Sequence, residues 1–114
     1  MEIKRGEIVL VNFEPVKGSE QRRIRPSLII QNNIYNKYSP TTIVAPITSK
    51  TYKKEYPTNV NLSKKDSKLN NDSTILLNQI RTIDKRRIIK KLFSLNREII
   101  KKVDMAIKVS LYLF

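Results

Sequence analysis

The sequence predicts a mainly β protein, in which a curled antiparallel sheet of about five to seven strands is followed by one C-terminal α-helix. Three observations support this fold class. Short runs of branched aliphatic residues recur through the first two-thirds of the chain, as in an all-β barrel. No segment before residue 85 keeps helical periodicity for three turns, which argues against alternating βαβ units. Only the last segment places its apolar residues at helical spacing.

Five apolar runs are predicted to be strands, because Pro, Gly and Asn residues that favour turns separate them. They are residues 8–11, 27–30, 42–45, 59–62 and 74–77. A further run at 88–93 is interpreted as a final strand. The predicted helix covers residues 97–111, with Asn96 as its N-cap. A contact between Leu95 and Ile100 is expected to fix the direction in which the chain enters this helix.

Composition narrows both the architecture and the chemistry. A chain of 114 residues has room for one core, so we expect a single domain over residues 1–114. It has no apolar run of membrane-spanning length and no signal-peptide pattern at its start, so we expect a cytoplasmic protein with no membrane contact. It has no Cys and no His. Thiolate nucleophiles and Cys-type zinc sites are therefore excluded, no cofactor is expected, and any catalysis must use Arg, Lys, Tyr, Thr, Asp or Glu.

The chain is strongly basic. It has 23 Lys and Arg residues against 10 Asp and Glu residues, for a formal net charge of +13. Such a field favours polyanionic partners and makes association sensitive to salt. Nucleic acid is the first candidate, although Lys, Asn and Ile are also abundant in proteins from AT-rich genomes. The position of the charges must therefore decide.

Residues 14–26 are predicted to form a long polar loop between the first two strands. A loop of this length in a small domain is either functional or disordered. It contains two acids, an amide, a hydroxyl and three arginines. Pro26 favours extended backbone at Arg25, and an arginine at the mouth of a strand can hold a phosphate through two parallel hydrogen bonds. A solvated basic turn is the alternative interpretation.

Two further segments could face that loop. Thr48 follows the third predicted strand, and Gln79 and Arg81 follow the fifth. Amides and hydroxyls at strand ends can read the edges of unpaired bases, although each of these residues also has an ordinary structural interpretation. Tyrosines could stack on exposed bases: Tyr35, Tyr38, Tyr52 and Tyr56. The residues thus indicate a basic β-barrel that binds single-stranded nucleic acid, and they leave its activity open.

Short motifs run along nearly the whole chain, at residues 4–9, 18–21, 25–26, 36–41, 45–48, 57–60, 72–73, 78–85, 103–104 and 110–111. In this order they closely resemble the MazF/PemK/Kid family of toxin endoribonucleases. The resemblance implies an SH3-like barrel of the PemK/CcdB type with a C-terminal helix, acting as a homodimer whose interface forms an RNA groove. It also implies the toxin of a type II toxin-antitoxin system, an mRNA interferase that cleaves single-stranded mRNA without metal. The expected products are a 2′,3′-cyclic phosphate and a 5′-hydroxyl.

The resemblance also implies a catalytic pair, Arg25 and Thr48. Arginine keeps its proton in water, so we expect Arg25 to act mainly by stabilising charge on the phosphoryl oxygens, while Thr48 donates a hydrogen bond. Glu20 is our candidate for a base or for a group that orients Arg25, although it could form only a salt bridge. The residues that we assign to substrate binding are Ser19, Glu20, Gln21, Gln79 and Arg81.

The resemblance implies a second partner and leaves rival functions open. A free ribonuclease of this kind would arrest its own cell, which implies a cognate antitoxin with an acidic, partly disordered segment. Where relatives often carry glycines, this chain has Arg22, Arg23 and Ile24, so the RNA sequence that it prefers is not implied. One rival is a CcdB-like barrel that binds gyrase without catalysis. Another is a non-catalytic RNA-binding barrel, which would need Arg25 and Thr48 to lie out of reach of a common phosphate.

Overall fold

The computed structural model describes residues 1–13 and 24–114, which contain seven strands and three α-helices. The strands are β1 (Glu7–Asn12), β2 (Ile24–Ile29), β3 (Thr41–Thr48), β4 (Asn59–Leu62), β5 (Ser73–Leu76), β6 (Arg81–Asp84) and β7 (Ile88–Ser94). The helices are α1 (Asn33–Tyr38), α2 (Lys64–Ser67) and α3 (Arg97–Leu111). Single 3₁₀ turns at Leu77–Gln79 and Lys85–Arg87 flank β6. The mainly β fold class with a C-terminal helix is confirmed.

All the strand pairs in the described residues are antiparallel. The strands lie in the order β4-β5-β3-β2-β1-β7, and β6 also pairs with β3. The long strand β3 makes this branch possible, because its first half pairs with β6 and its last two residues pair with β5. The 3₁₀ turn at Leu77–Gln79 carries the chain from β5 to β6. It breaks the apolar run that the sequence predicted as one strand to residue 77.

Alternation along the strands gives the sheet two apolar faces. Ile8, Leu28 and Ala45 are paired across β1, β2 and β3, and they pack in the same cluster as α3. On the opposite face, Val9 and Val44 belong to a second buried cluster. Since side chains point to alternate faces of a strand, β1, β2 and β3 each supply residues to both clusters. The middle of the sheet is therefore buried on both faces.

Helix α3 matches its predicted bounds. Its N-cap is Asn96, whose Oδ1 accepts a hydrogen bond from the Ile99 N–H at 2.9 Å, as predicted. Leu95 and Ile100 belong to the same hydrophobic cluster, which agrees with the predicted contact across the helix start. None of the helices in the described ranges is long and apolar enough to cross a membrane.

Two local predictions need correction. The segment 14–26 was predicted to be a loop throughout, but β2 begins at Ile24, so Arg25 and Pro26 lie in a strand. The physical reason is that the extended backbone favoured before proline also fits a strand, where Pro26 is paired with Leu10. Helix α1 was not predicted, because it has six residues and no apolar stripe. The buried side chain in α1 is the polar Asn36.

Candidate active site

The strand registers put Arg25 and Thr48 at the same end of the β2–β3 pair. Arg25 is paired with Val11 of β1, and Ser27 is paired with Pro46 of β3. The β2–β3 pairing ends at this row, two residues from Arg25 along β2 and two residues from Thr48 along β3. Arg25 and Thr48 therefore both lie just beyond the last paired row, at the same end of the two strands.

The Thr48 hydroxyl is held at this end of β3. Its Oγ1 accepts a hydrogen bond from the Lys50 N–H at 3.1 Å. On the next strand, Thr74 is paired with Thr48 and donates its hydroxyl proton to the Lys50 carbonyl at 3.0 Å. Thr48 is half-buried, and no acceptor among the described residues takes its hydroxyl proton. This proton is thus available to an oxygen on a ligand.

Three arginines meet around the end of β1, and together they are called the arginine cluster below. Arg25 is paired with Val11, and the Nη1 of Arg87 donates a hydrogen bond to the Asn12 carbonyl at 3.3 Å. The Cζ of Arg81 lies 5.0 Å from the centroid of the Phe13 ring, a cation–π contact. These contacts fall on three consecutive residues, 11–13. Arg81 and Arg87 thus contact the chain at the end of β1 through their side chains, and Arg25 is paired with it through its backbone.

The arginine cluster keeps its charge. Within the described part of the chain, none of its three arginines forms an ion pair. Arg86 is different, because its Nε and Nη2 donate to the two carboxylate oxygens of Asp84 at 3.1 and 3.0 Å. Those hydrogen bonds lower the pKa of Asp84 to about 2. Arg86 is thus locally neutralised, whereas the cluster attracts anions.

The other predicted site residues divide into three groups. Arg81 lies in the cluster, and Gln79 is exposed two residues before it, at the end of the 3₁₀ turn. Ser19, Glu20 and Gln21 lie outside the described residues. They belong to the segment between β1 and β2. The residues on either side of it, Asn12 and Ile24, are paired with each other at the end of these strands.

The predicted stacking tyrosines are not gathered at one place. Tyr35 and Tyr38 are exposed on α1, which precedes the opposite end of β3 from Thr48. Tyr52 follows Thr48 by four residues; Lys50 Nζ lies 5.0 Å from its ring, and Tyr56 meets it edge-on at 5.8 Å. Only the second pair is near the candidate site along the chain.

Phe13 and Arg87 are part of this geometry, and the sequence did not indicate either. Arg87 ends the basic triplet of residues 85–87, which resembles a solvated turn. What sets Arg87 apart in the sequence is that it directly precedes the apolar Ile88. In the structure Ile88 is buried and paired with Val11, so that β7 begins beside β1. Phe13 follows β1 directly, and it packs against the second apolar cluster.

Several solved structures are similar to this chain over nearly its whole length. A MazE-MazF complex from Deinococcus radiodurans matches with a TM-score of 0.81 at 26% identity, covering 100% of this chain and 99% of the other. An endoribonuclease in complex with its cognate antitoxin from Mycobacterial species matches at 0.80 and 20% identity, covering 98% and 97%. The Mycobacterium tuberculosis toxin MazF-mt6 matches at 0.79 and 19% identity, covering 95% and 98%.

The fold and the charged end of the sheet therefore define a small, basic toxin-like barrel. The family model for PemK-like, MazF-like toxins of type II toxin-antitoxin systems matches residues 4–111. The chain belongs to this family.

Proposed function

We propose that this protein is a sequence-specific endoribonuclease, an mRNA interferase that cleaves single-stranded RNA without a metal ion. The observation that supports this proposal is the β2–β3 register, which puts Arg25 and Thr48 at the same end of the two strands. Two further arginines, Arg81 and Arg87, contact the chain at the end of β1 and have no acidic partner in the described residues. Cations and a hydroxyl donor can stabilise the negative charge that grows on a phosphodiester as it is cleaved. Solved relatives with the same fold are described as endoribonucleases, which supports the same activity here.

The proposed reaction is an internal transesterification. The ribose 2′-hydroxyl attacks its own phosphorus, the bond from phosphorus to the 5′-oxygen breaks, and the products carry a 2′,3′-cyclic phosphate and a 5′-hydroxyl. Charge grows on the non-bridging oxygens in the transition state, where Arg25 stabilises it. Thr48 donates its free hydroxyl proton as a hydrogen bond to a phosphoryl oxygen or to the leaving oxygen.

Two proton transfers complete this reaction. The proton of the 2′-hydroxyl must be accepted, and the leaving 5′-oxygen must gain one. Glu20 is the proposed acceptor, or the group that orients Arg25. Ser19, Gln21 and Gln79 are proposed to position the RNA, with Arg81 binding a phosphate beside the cleaved one.

Two protein partners follow from the family and the charge. We propose that the chain acts as a homodimer with its RNA groove at the interface. We also propose that a cognate antitoxin covers the site with an acidic, partly disordered segment. The net charge of +13 and the arginine cluster, which forms no ion pair within residues 1–13 and 24–114, favour such a partner electrostatically.

The test is to incubate the purified protein with a long single-stranded RNA in EDTA and to map the cut ends. Wild-type protein should cut at one short sequence and leave cyclic-phosphate ends. Arg25→Ala and Thr48→Ala should abolish these cuts. Two controls isolate the chemistry: Arg86→Ala removes an arginine that is already paired with Asp84, and Thr48→Ser keeps the hydroxyl. Both should still cut at the same sequence.

Three outcomes would contradict the proposal. Cleavage that stops in EDTA would contradict independence from metal. RNA that is bound but never cut would leave a non-catalytic RNA-binding barrel. If RNA is neither bound nor cut, gyrase becomes the next target to test, as for CcdB-like toxins.

A further inference from the structure

We infer that Arg87 binds a second phosphate of the RNA, next to the phosphate that Arg25 holds. This inference rests on the proposed function and extends it to a residue that the sequence did not indicate. The basis is the position of Arg87 at the start of β7, where its side chain lies against the end of β1.

The strand order sets the distance between the two arginines. Ile88 is paired with Val11, and Val11 is paired with Arg25, so these residues share one row across β7, β1 and β2. Neighbouring strands are about 4.8 Å apart, so the backbones of β7 and β2 are roughly 10 Å apart. Arg87 directly precedes this row. Two arginine side chains can therefore lie on either side of the end of β1 and hold neighbouring groups of one extended strand.

The contacts of Arg87 leave most of its hydrogen-bonding capacity free. Its one hydrogen bond within the described residues joins Nη1 to the Asn12 carbonyl, and an arginine has five N–H donors. The carbonyl bond orients the guanidinium without neutralising it. Arg87 is also half-buried, so less side-chain entropy is lost when it binds an anion. A preorganised cation with free donors is suited to a phosphate.

Arg86 provides a matched control, because it differs from Arg87 in surroundings and not in charge. The side chain of Arg86 is 90% exposed, and both oxygens of Asp84 accept hydrogen bonds from it. Removing either arginine lowers the net charge by one. A long-range effect of charge on RNA binding should therefore be the same for both variants, whereas a direct phosphate contact should appear only for Arg87.

The experiment measures binding of a 2′-O-methylated single-stranded RNA, which has no 2′-hydroxyl to react, over a range of salt concentrations. For Arg87→Gln we expect about a tenfold weaker affinity and a log–log salt slope reduced by about 0.7, the value for one phosphate contact on a single strand. Arg86→Gln should stay within about twofold of wild type with the same slope. Arg87→Lys should keep the wild-type slope, because a lysine still neutralises the phosphate.

The outcomes separate this inference from the proposed function. Equal effects of Arg86→Gln and Arg87→Gln, or an unchanged slope for Arg87→Gln, would overturn the phosphate contact. A fall in thermal stability for Arg87→Gln without a change in slope would show that the side chain only anchors Asn12, which also overturns it. If wild-type protein binds the RNA but does not cut an unmodified one, the nuclease proposal fails while the slopes still decide on Arg87. If it binds no RNA, both fail.

Discussion

The two ends of the β2–β3 pair differ in the partners of their polar side chains. At one end lies the arginine cluster of Arg25, Arg81 and Arg87, whose charges have no acidic partner in the described residues. At the other end, Asn36 is buried and makes four side-chain hydrogen bonds, which form the asparagine network. Its partners are Gln31 Nε2, Gln31 O, Asn33 Oδ1 and Thr42 Oγ1, at 3.1, 2.8, 3.3 and 2.7 Å.

This difference separates stability from function. Every bond that Asn36 can make is satisfied inside the protein, so the network stabilises the fold and offers nothing to a ligand. The arginine cluster repels itself and contributes little to the fold. Because its arginines form no ion pair within the described residues, it can bind a polyanion instead. We therefore expect substitutions in the arginine cluster to change activity but not stability. Substitutions in the asparagine network should change stability but not activity.

The largest expected effect is at the arginine end. Arg25→Ala and Thr48→Ala should each lower the cleavage rate by about 10² to 10³-fold, as when one donor to a charged transition state is removed. Both act on one phosphate, so the double variant should lose little more than either single variant. Cleavage rates of the three variants test this. Losses that multiply in the double variant would show that the residues act independently.

Arg25→Ala should unfold in urea as wild type does, within about 0.5 kcal/mol, because the exposed Arg25 makes few contacts. A large loss of stability would mean that the activity loss reports unfolding. It would also remove the proposed separation between the two ends of the sheet.

At the other end, Asn36→Ala should lower the free energy of unfolding by about 3 kcal/mol. It leaves Thr42 and Gln31 with buried polar atoms that have lost a partner, each of which costs about 1 to 3 kcal/mol. Urea unfolding measures the loss, and Thr42→Val serves as a milder variant that removes one hydrogen bond. At a temperature where Asn36→Ala is folded, its affinity for RNA should equal that of wild type. A weaker affinity there would contradict the division of roles.

Ser27 gives a smaller effect of the opposite sign. Its hydroxyl is fully buried two residues from Arg25, and it is the one buried side-chain polar atom in the described residues that has no hydrogen-bond partner. Ser27→Ala should raise the free energy of unfolding by up to about 1 kcal/mol, because the alanine no longer buries an unsatisfied hydroxyl. Thermal unfolding measures this change. A loss of more than about 1 kcal/mol would show that the hydroxyl has a stabilising partner.

The smallest effect concerns pH. Hydrogen bonds from Arg86 lower the pKa of Asp84 from 3.8 to about 2. A carboxylate whose pKa is lower in the folded protein stabilises it above the unfolded pKa, and this contribution is lost as protons bind. It should therefore be complete above about pH 4 and disappear between pH 4 and 2. Comparing wild type with Arg86→Gln across this range isolates it; identical pH profiles would mean that the exposed pair contributes nothing.

The sequence predicted the strands and the helix whose apolar residues recur at regular spacing. It missed the short elements that a few individual contacts hold in place. The runs of branched residues gave five strands and β7, and the apolar stripe gave α3 with its cap at Asn96. Helix α1 has an interior contact through Asn36 and exposes Ile34 and Tyr35, so no periodic pattern marks it. Strand β6 has four residues, and it is separated from β5 only by a 3₁₀ turn.

The site could be predicted in part for a similar reason. Motifs local in sequence indicated Arg25, Thr48 and Arg81, and the β2–β3 register puts the first two at the same end of these strands. Arg87 differs from Arg86 only in what lies beside it, which depends on the pairing of β7 with β1 across 75 residues. No local pattern can show that relation. Ser19, Glu20 and Gln21 remain predictions.

The most direct test of the central claim is a single 2′-deoxynucleotide placed at the 5′ side of the cut in an otherwise unmodified RNA. If the 2′-hydroxyl is the nucleophile that Arg25 and Thr48 assist, the protein should bind this RNA as tightly as the unmodified RNA. The cut at the substituted position should be lost. Cuts at other copies of the same sequence in the strand should continue. Cleavage at the substituted position would contradict the account, because attack by another nucleophile would then have to explain the activity.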